Sequence, residues 1–454
     1  VKTILIFGAG RSSSVLIDYL LRESEKHFWQ VFVADASFQL AELKVNNHPN
    51  GKAVAFDVND EEKRNELINS SSVVISLLPP AMHYQIALAC LRFSVSLFTA
   101  SYTSKEIAAL HEDALKKNIL ILMETGLDPG IDHMSAMKEL EIIREKGGKL
   151  ISFKSYTGGL IAPESDDNPW HYKITWNPRN VVTAGKGISK YLEEGNIVEV
   201  GYKELFSVRE KIFVEGYGEF EGYPNRDSLS YLDTYQLKEV KTFLRGTLRR
   251  AGYCSGWNVL VNMGYTDDDS KIVNKEMSFL ELSEKLTGKK SEKEVIKYLK
   301  SKGATDDDLE RIKWLGCFST NPIEEEYSSL FSKNFSLPSL LTPADTLQIL
   351  LEKNWKMKSD DKDMIVMQHQ FEYDLNGKLL NLISSLVVTG EDESHTAMAK
   401  TVGLPLAIAV KLFLEGRIQS RGVQIPIIKE IYLPVLKELE EKHGIHFINI
   451  EKEI

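Results

Sequence analysis

With 454 residues, the chain has room for two or three domains with substantial cores. Its formal charge of −10 argues against nucleic-acid phosphates as the main partner. No uninterrupted apolar run approaches the roughly 20 residues of a membrane span, so neither nucleic acid nor membrane is an expected partner.

The first residues already read as a buried strand, Thr3-Ile4-Leu5-Ile6-Phe7, so no signal or transit peptide is expected within this sequence, a longer precursor being outside its view. Cys90, Cys254 and Cys317 lack metal spacing and suit buried thiols in a reducing compartment. A cytoplasmic protein is the expectation. The strand runs into Gly8-Ala9-Gly10-Arg11-Ser12-Ser13 and then a helix. Gly8 permits a sharp turn, Gly10 lets the backbone approach a pyrophosphate, and the helix N-terminus offers N–H groups to that anion. Ser13 stands where a third glycine is usual, so the loop alone also fits a plain strand–helix turn. The next apolar run, Val31-Phe32-Val33-Ala34, ends in Asp35, whose carboxylate can accept from a ribose 2′-OH. That acid at a strand end moves the reading toward a dinucleotide.

Strands are predicted at 3–7, 30–34, 53–57, 73–78, 95–100 and 119–123, and helices at 15–23, 60–68, 82–91 and 105–117. Continuous apolar strands alternating with helices imply an α/β fold, a doubly wound parallel Rossmann sheet covered on both faces. Its ligand edge lies beyond the strands' carboxyl ends, which carry Gly8, Asp35, Asp57, Leu78, Pro79, Ser101, Tyr102 and residues 124–128. Further strands are predicted at 150–158, 197–200, 205–208 and 211–213, with a helix at 181–191. The pattern turns helical over 237–316, and the charged run 289–302 reads as a solvated helix face. Strands return at 363–371 and 382–390 with Asn376-Gly377 as a turn, followed by helices at 397–402, 404–415 and 430–443. The expected domains are 1–129, to which helices in 393–454 return; an α/β domain of 130–235 plus 360–392; and a mainly helical 236–359.

Three polar clusters are candidates for chemistry. Glu124-Thr125-Gly126-Leu127-Asp128-Pro129-Gly130-Ile131-Asp132-His133 joins the last parallel strand to a helix. Asp128 there either caps a turn before Pro129 or holds a cationic amine at the ligand edge. Gly222-Tyr223-Pro224-Asn225-Arg226-Asp227-Ser228 and Arg245-Gly246-Thr247-Leu248-Arg249-Arg250 each carry guanidinium groups. These suit a substrate with several carboxylates, which the planar fork binds bidentately; the alternative is salt bridging to the chain's own acids. His83, His133 and His171 show no metal spacing and read as structural or solvent-facing, so no metal is expected.

Several long strings carry a family likeness. They are Val74-Ile75-Ser76-Leu77-Leu78-Pro79, Thr99-Ala100-Ser101-Tyr102, Gly126-Leu127-Asp128-Pro129-Gly130-Ile131-Asp132-His133-Met134 and residues 156–164. They continue through Glu221-Gly222-Tyr223-Pro224-Asn225-Arg226-Asp227-Ser228, Leu244-Arg245-Gly246-Thr247-Leu248-Arg249, Lys362-Asp363-Met364-Ile365-Val366-Met367 and Ala397-Met398-Ala399-Lys400-Thr401-Val402-Gly403-Leu404-Pro405. In these, nearly end to end, the chain resembles the glutamate-forming saccharopine dehydrogenase (saccharopine reductase) family.

The resemblance implies a Rossmann domain, an α/β substrate domain that also mediates homodimerisation, and a helical domain over the cleft. It implies oxidation of saccharopine with water to glutamate and 2-aminoadipate 6-semialdehyde, or the reverse condensation. It assigns the substrate to Ser101, Tyr102, Asp128, Arg226, Arg245, Gly246 and Thr247. Asp128 and Tyr102 then sit at the reacting amine, as orienting and electrostatic groups more than as the base. The cofactor falls to Gly8, Ala9, Gly10, Arg11, Ser12, Asp35, Ala36, Asp57, Val58, Leu78, Leu127, Asp128 and Pro129, and to Asn177, the position after Trp176.

Arg11 replaces a usually aromatic residue and brings a cation to the pyrophosphate loop. Asp35 stands where NADPH-using relatives tend to have a small or basic residue. A 2′-phosphate about 4 Å from that carboxylate would meet repulsion of about 4 kcal/mol at an effective dielectric of 20. The expected cofactor is therefore NAD, with NADP as the alternative. The rival activities are a carboxynorspermidine-type dehydrogenase of the same architecture and a non-catalytic NAD-binding regulatory subunit.

Overall fold

The computed structural model describes residues 1–175, 177–330 and 337–454. These form two compact units: Val1–Lys149 with Asp374–Lys378 and Leu386–Ile450, and Leu150–Tyr373 with Leu379–Ser385 and Glu451–Ile454. Residues 236–330 and 337–359 belong to the second unit.

The first unit is built on β1 (Thr3–Phe7), β2 (Gln30–Asp35), β3 (Gly51–Ala55), β4 (Val73–Ser76), β5 (Ser96–Phe98) and β6 (Leu120–Leu122). With Gly422–Gln424 they make a seven-stranded sheet in the order β3-β2-β1-β4-β5-β6 followed by that late strand. Every pairing in it is parallel. The strands of its centre are fully buried, Ile4 through Phe7 and Val73 through Ser76 alike, which requires helices on both faces. The strand order reverses between β1 and β4, so the ligand crevice of such a sheet opens beyond their carboxyl ends.

Helices α1 (Ser14–His27), α2 (Phe38–Val45), α3 (Glu61–Asn69) and α4 (His83–Phe93) follow the first four strands. α2 was not expected. Phe38, Leu40 and Leu43 face solvent, so its sequence lacks the apolar stripe of a packed helix. Its start is nevertheless well made, with the Ser37 side chain accepting from Leu40 N. The predicted helix over 105–117 divides into Lys105–Ala108 and His111–Lys116. The predicted helices 397–402 and 404–415 are one, Ala397–Leu414, running through Pro405. It is long and apolar enough to cross a membrane, but 78% of that window is buried inside the protein. Gly403 explains the close fit: an added Cβ would lie 3.1 Å from the Leu16 backbone nitrogen of α1.

The second sheet is mixed and nine-stranded. It holds β7 (Lys149–Ile161), β8 (Ile188–Glu193), β9 (Asn196–Gly201), β10 (Glu210–Val214), β11 (Gly218–Pro224) and β12 (Thr242–Arg250), with Asp363–Leu375, Lys378–Thr389 and Ile448–Glu453. Asn376 and Gly377 turn between two of these strands at φ 57° and 82°, as the hairpin signal requires. Three expectations fail here. Residues 181–191 leave the short helix Pro178–Val182, turn through Gly185 and Gly187 at φ 79° and 102°, and enter β8 at Ile188. The stretch 205–208 begins on the last residue of a helical turn, Tyr202–Leu205, and leaves it as a turn. Thr242–Arg250 is a strand inside a region predicted helical. Arg245 and Arg249 are buried there, so hydropathy does not alternate. The expected solvated run contains Glu292–Ser301, which buries Val295 and Leu299.

Candidate active site

The glycine loop is shaped by contacts that small residues alone allow. Gly8 has φ +104°, donates to Ala34 O at 2.9 Å, and leaves only 3.1 Å between an added Cβ and Leu77 O. Beside Gly10 an added Cβ meets nothing within 4 Å, which is the open approach an anion needs. Ser13 Oγ donates to Gly10 O at 2.7 Å and so ties the turn in place of a third glycine. Arg11 is exposed.

Asp35 does something other than expected. Its Oδ2 accepts from Ala9 N at 2.7 Å and its Oδ1 from Ser37 N at 2.9 Å. The carboxylate thus joins the loop and the approach of α2, one backbone donor on each oxygen. Ala36, exposed, lies between them. Asp57 is likewise held by its own turn, Oδ1 accepting from Asn59 N at 2.9 Å, and Arg64 Nη1 donates to Val58 O at 3.0 Å. Leu78 is half-buried against the core under the sheet.

Ser101 and Tyr102 follow β5, and the loop after β6 comes back to meet them. Glu124 N donates to Ser101 O at 3.0 Å, and Glu124 Oε1 accepts from Thr103 N at 2.9 Å. Its other oxygen lies 2.9 Å from Nε2 of the wholly buried His133. Burial raises the Glu124 pKa, but the His133 hydrogen bond and charge, with the Thr103 bond, outweigh it and hold the carboxyl below its usual range. Gly126 N donates to Pro129 O at 2.9 Å, and Leu127 and Pro129 are buried. Gly130 has φ +148°, and any Cβ there would strike Gly126. The result is a fixed loop that presents Asp128, half-buried, with Tyr102 OH donating to its Oδ1 at 3.1 Å.

His83 and His133 are thus buried and bonded, while His171 pairs with Asp166 at 2.7 Å. Sequence reasoning missed what Glu124 and His133 do. The signal was an acid directly after a buried strand, in a loop with two glycines. Among the described residues no group of three or more His, Cys, Asp or Glu has metal-binding geometry.

In the second unit the two arginine segments adjoin. Asn225 N donates to Arg245 O at 2.9 Å, and Arg245 N donates to Ser228 Oγ at 2.9 Å. Arg226 sits at φ +53°, its carbonyl accepting from Lys190 N at 2.9 Å. Arg245 and Thr247 project to one face of β12 and Gly246 to the other, where the Tyr156 ring fills the space a side chain would need. The Arg245 guanidinium stacks 4.4 Å over the Tyr231 ring, which keeps its fork in a defined plane. Asn177 caps Pro178–Val182 by accepting from Arg179 N at 2.9 Å; Trp176 lies outside the described residues.

Comparison with known proteins places this geometry in a family. Residues 4–122 match the family model described as "Saccharopine dehydrogenase NADP binding domain", and residues 126–445 match "Saccharopine dehydrogenase C-terminal domain". The chain belongs to the saccharopine dehydrogenase family.

One relative is the "Saccharopine dehydrogenase [NADP(+), L-glutamate-forming]" of Saccharomyces cerevisiae, 35% identical over 98% of each chain. Another is the mitochondrial "Alpha-aminoadipic semialdehyde synthase" of Bos taurus, 34% identical over 97% of this chain but 47% of that protein. The solved structure of apo saccharopine dehydrogenase (L-Glu forming) from Saccharomyces cerevisiae aligns over 100% of both chains with a TM-score of 0.88 and 33% identity. These findings correct the expected preference for NAD, because the matching domain and the yeast relative are named for NADP. In the structure the Asp35 carboxylate accepts from Ala9 N and Ser37 N, so its charge meets two backbone donors beside the loop, which the strand-end position alone does not show.

Proposed function

We infer that this protein is an L-glutamate-forming saccharopine dehydrogenase that uses NADP(+). It oxidises the secondary amine of saccharopine, and water releases glutamate and 2-aminoadipate 6-semialdehyde; the reverse is a reductive condensation. The observation that carries this reading is the likeness to the NADP(+)-dependent yeast enzyme over 98% of both chains.

The residues present suit the cofactor. Gly8, Ala9, Gly10 and Ser12 form the pyrophosphate cradle, with open space beside Gly10. Arg11 and the first-turn N–H groups of α2 supply positive potential for a 2′-phosphate, while the Asp35 charge is offset by two backbone donors. Ala36, Asp57, Val58 and Leu78 line the remaining strand ends, and Leu127, Asp128, Pro129 and Asn177 attend the nicotinamide end. When bound, the cofactor accepts hydride at nicotinamide C4.

Asp128 holds the cationic amine of the substrate, and the Tyr102 hydroxyl at 3.1 Å keeps that carboxylate in one orientation. Ser101 contributes a hydroxyl at the same edge. Arg226 and Arg245 bind substrate carboxylates, with Gly246 and Thr247 shaping the strand beside them. Holding the reacting carbon at near-attack distance supplies much of the rate.

The test is direct. Mixing purified protein with saccharopine and NADP(+) should raise absorbance at the reduced-nicotinamide band, and no change with saccharopine would refute the assignment. Replacing Arg226 by Ala should raise KM for saccharopine at least tenfold, the cost of one charge-assisted contact, and leave KM for NADP(+) nearly as it was. Equal increases in both would remove Arg226 from carboxylate binding.

A further inference from the structure

Beyond the residues given roles above, the carboxyl ends of β4 and β5 carry a hydrogen-bonded trio. Ser76 Oγ lies 2.9 Å from His83 Nδ1, and Ser101 Oγ lies 2.7 Å from His83 Nε2. Ser76 ends β4, His83 opens α4, and both are at most 1% exposed. Ser101 is half-buried and is anchored through its backbone to Thr99 and Glu124.

We propose that His83 is a positioning residue for Ser101, fixing the rotamer and hydrogen-bond direction of the hydroxyl that meets the substrate. The proposal rests on the reading of Ser101 as a substrate contact. A serine hydroxyl at a strand end has three staggered positions and a rotating proton, and a ligand that binds it must freeze both. Here one direction is already taken by Nε2. Burial pushes the imidazole down to about 4, so near neutral pH the ring is uncharged, with one N–H and one lone pair. The two serines therefore play opposite parts on it. With the proton on Nδ1, Ser76 accepts, and Ser101 donates to Nε2 while offering lone pairs to an ammonium. With the proton on Nε2, Ser101 accepts from the ring and offers its own O–H to a carboxylate. In both tautomers the hydroxyl is directed, and no charge is added at the sheet edge.

Two side-chain amides separate this role from a tie that only joins α4 to the sheet. His83→Asn places its amide near Nδ1, keeping the Ser76 contact and losing Ser101. His83→Gln reaches the Nε2 position and keeps Ser101. Steady-state kinetics with saccharopine and NADP(+) should show H83N raising KM for saccharopine about tenfold, one hydrogen bond's worth, with KM for NADP(+) and Tm little moved. H83Q should recover most of that loss, and H83N should add nothing in an S101A background. Equal losses in H83N and H83Q that track a lowered Tm would overturn the proposal. So would an unaffected H83N beside an impaired S101A, which fails the positioning role alone. A silent S101A would instead remove the substrate-contact reading, and the proposal with it.

Discussion

Asp35 shows how a side chain's backbone partners can override its charge. From sequence its position at the end of β2 pointed to a ribose and to NAD, since nothing in the residue type says where the oxygens turn. In the fold both accept main-chain N–H groups, from Ala9 and Ser37. Removing them by Asp35→Ala should loosen the glycine loop and weaken NADP(+) binding about tenfold, the scale of one hydrogen bond to a charged acceptor. Titrating NADP(+) against protein fluorescence measures this. Were Asp35 mainly a repulsive charge, the same variant would bind NADP(+) more tightly. His83 offers a second test, through pH. Its pKa falls from 6.5 to about 4 because burial disfavours the imidazolium. Between those values the unfolded chain binds the additional proton, so this group's stabilisation is complete above 6.5 and is lost as pH falls toward 4. The size of that contribution is about 3 kcal/mol. Melting curves across that range should show H83Q losing less stability than the parent as pH drops. Parallel curves would mean that the ring titrates alike folded and unfolded.

Elements were legible where burial followed one simple pattern. β1, β2 and β4 are continuous apolar runs with polar residues only at their ends, and the sequence places them within a residue or two. β12 and α2 defeat such reading for opposite reasons: β12 buries arginines, and α2 exposes Phe38, Leu40 and Leu43. The candidate site divides in the same way. The glycine loop and the loop carrying Asp128 stand out by residue type, whereas the bonds that hold them, from Glu124 to Thr103 and His133, join residues nine to 21 positions apart and leave no local signature. Gly403 gives an element-scale prediction. It sits inside Ala397–Leu414, where glycine weakens a helix, yet an added Cβ would come within 3.1 Å of Leu16 Cβ and backbone nitrogen in α1. Close helix approach outweighs propensity here. Gly403→Val should cost about 1–3 kcal/mol through overpacking, measured as a lowered urea midpoint with an unchanged slope. A variant as stable as the parent would mean that the two helices separate at no cost.

At the scale of the whole chain, the first unit is not a segment but an assembly of distant ones. Gly422–Gln424 adds to the β6 edge, with Val423 beside Ile121, and Ala397–Leu414 lies on α1 with most of its residues buried. A further tie is buried beside these helices, where Glu438 accepts from Tyr19 OH and from Lys411 Nζ. Residues 1–149 alone would therefore expose the α1 surface around Leu16, leave β6 an unpaired edge, and strand Tyr19 without its acceptor. Burial of that apolar surface, at roughly 25 cal/mol per Å², is a large part of what holds a Rossmann unit together, and a marginal domain does not survive its loss. A fragment of residues 1–149 should accordingly lack a cooperative thermal transition and fail to bind NADP(+) in titration calorimetry, although it contains the entire glycine loop. Supplying residues 386–454 as a second chain should restore both signals, because the missing surface is then provided. A fragment that melts cooperatively and binds NADP(+) unaided would show that the late helices only cover an already stable sheet.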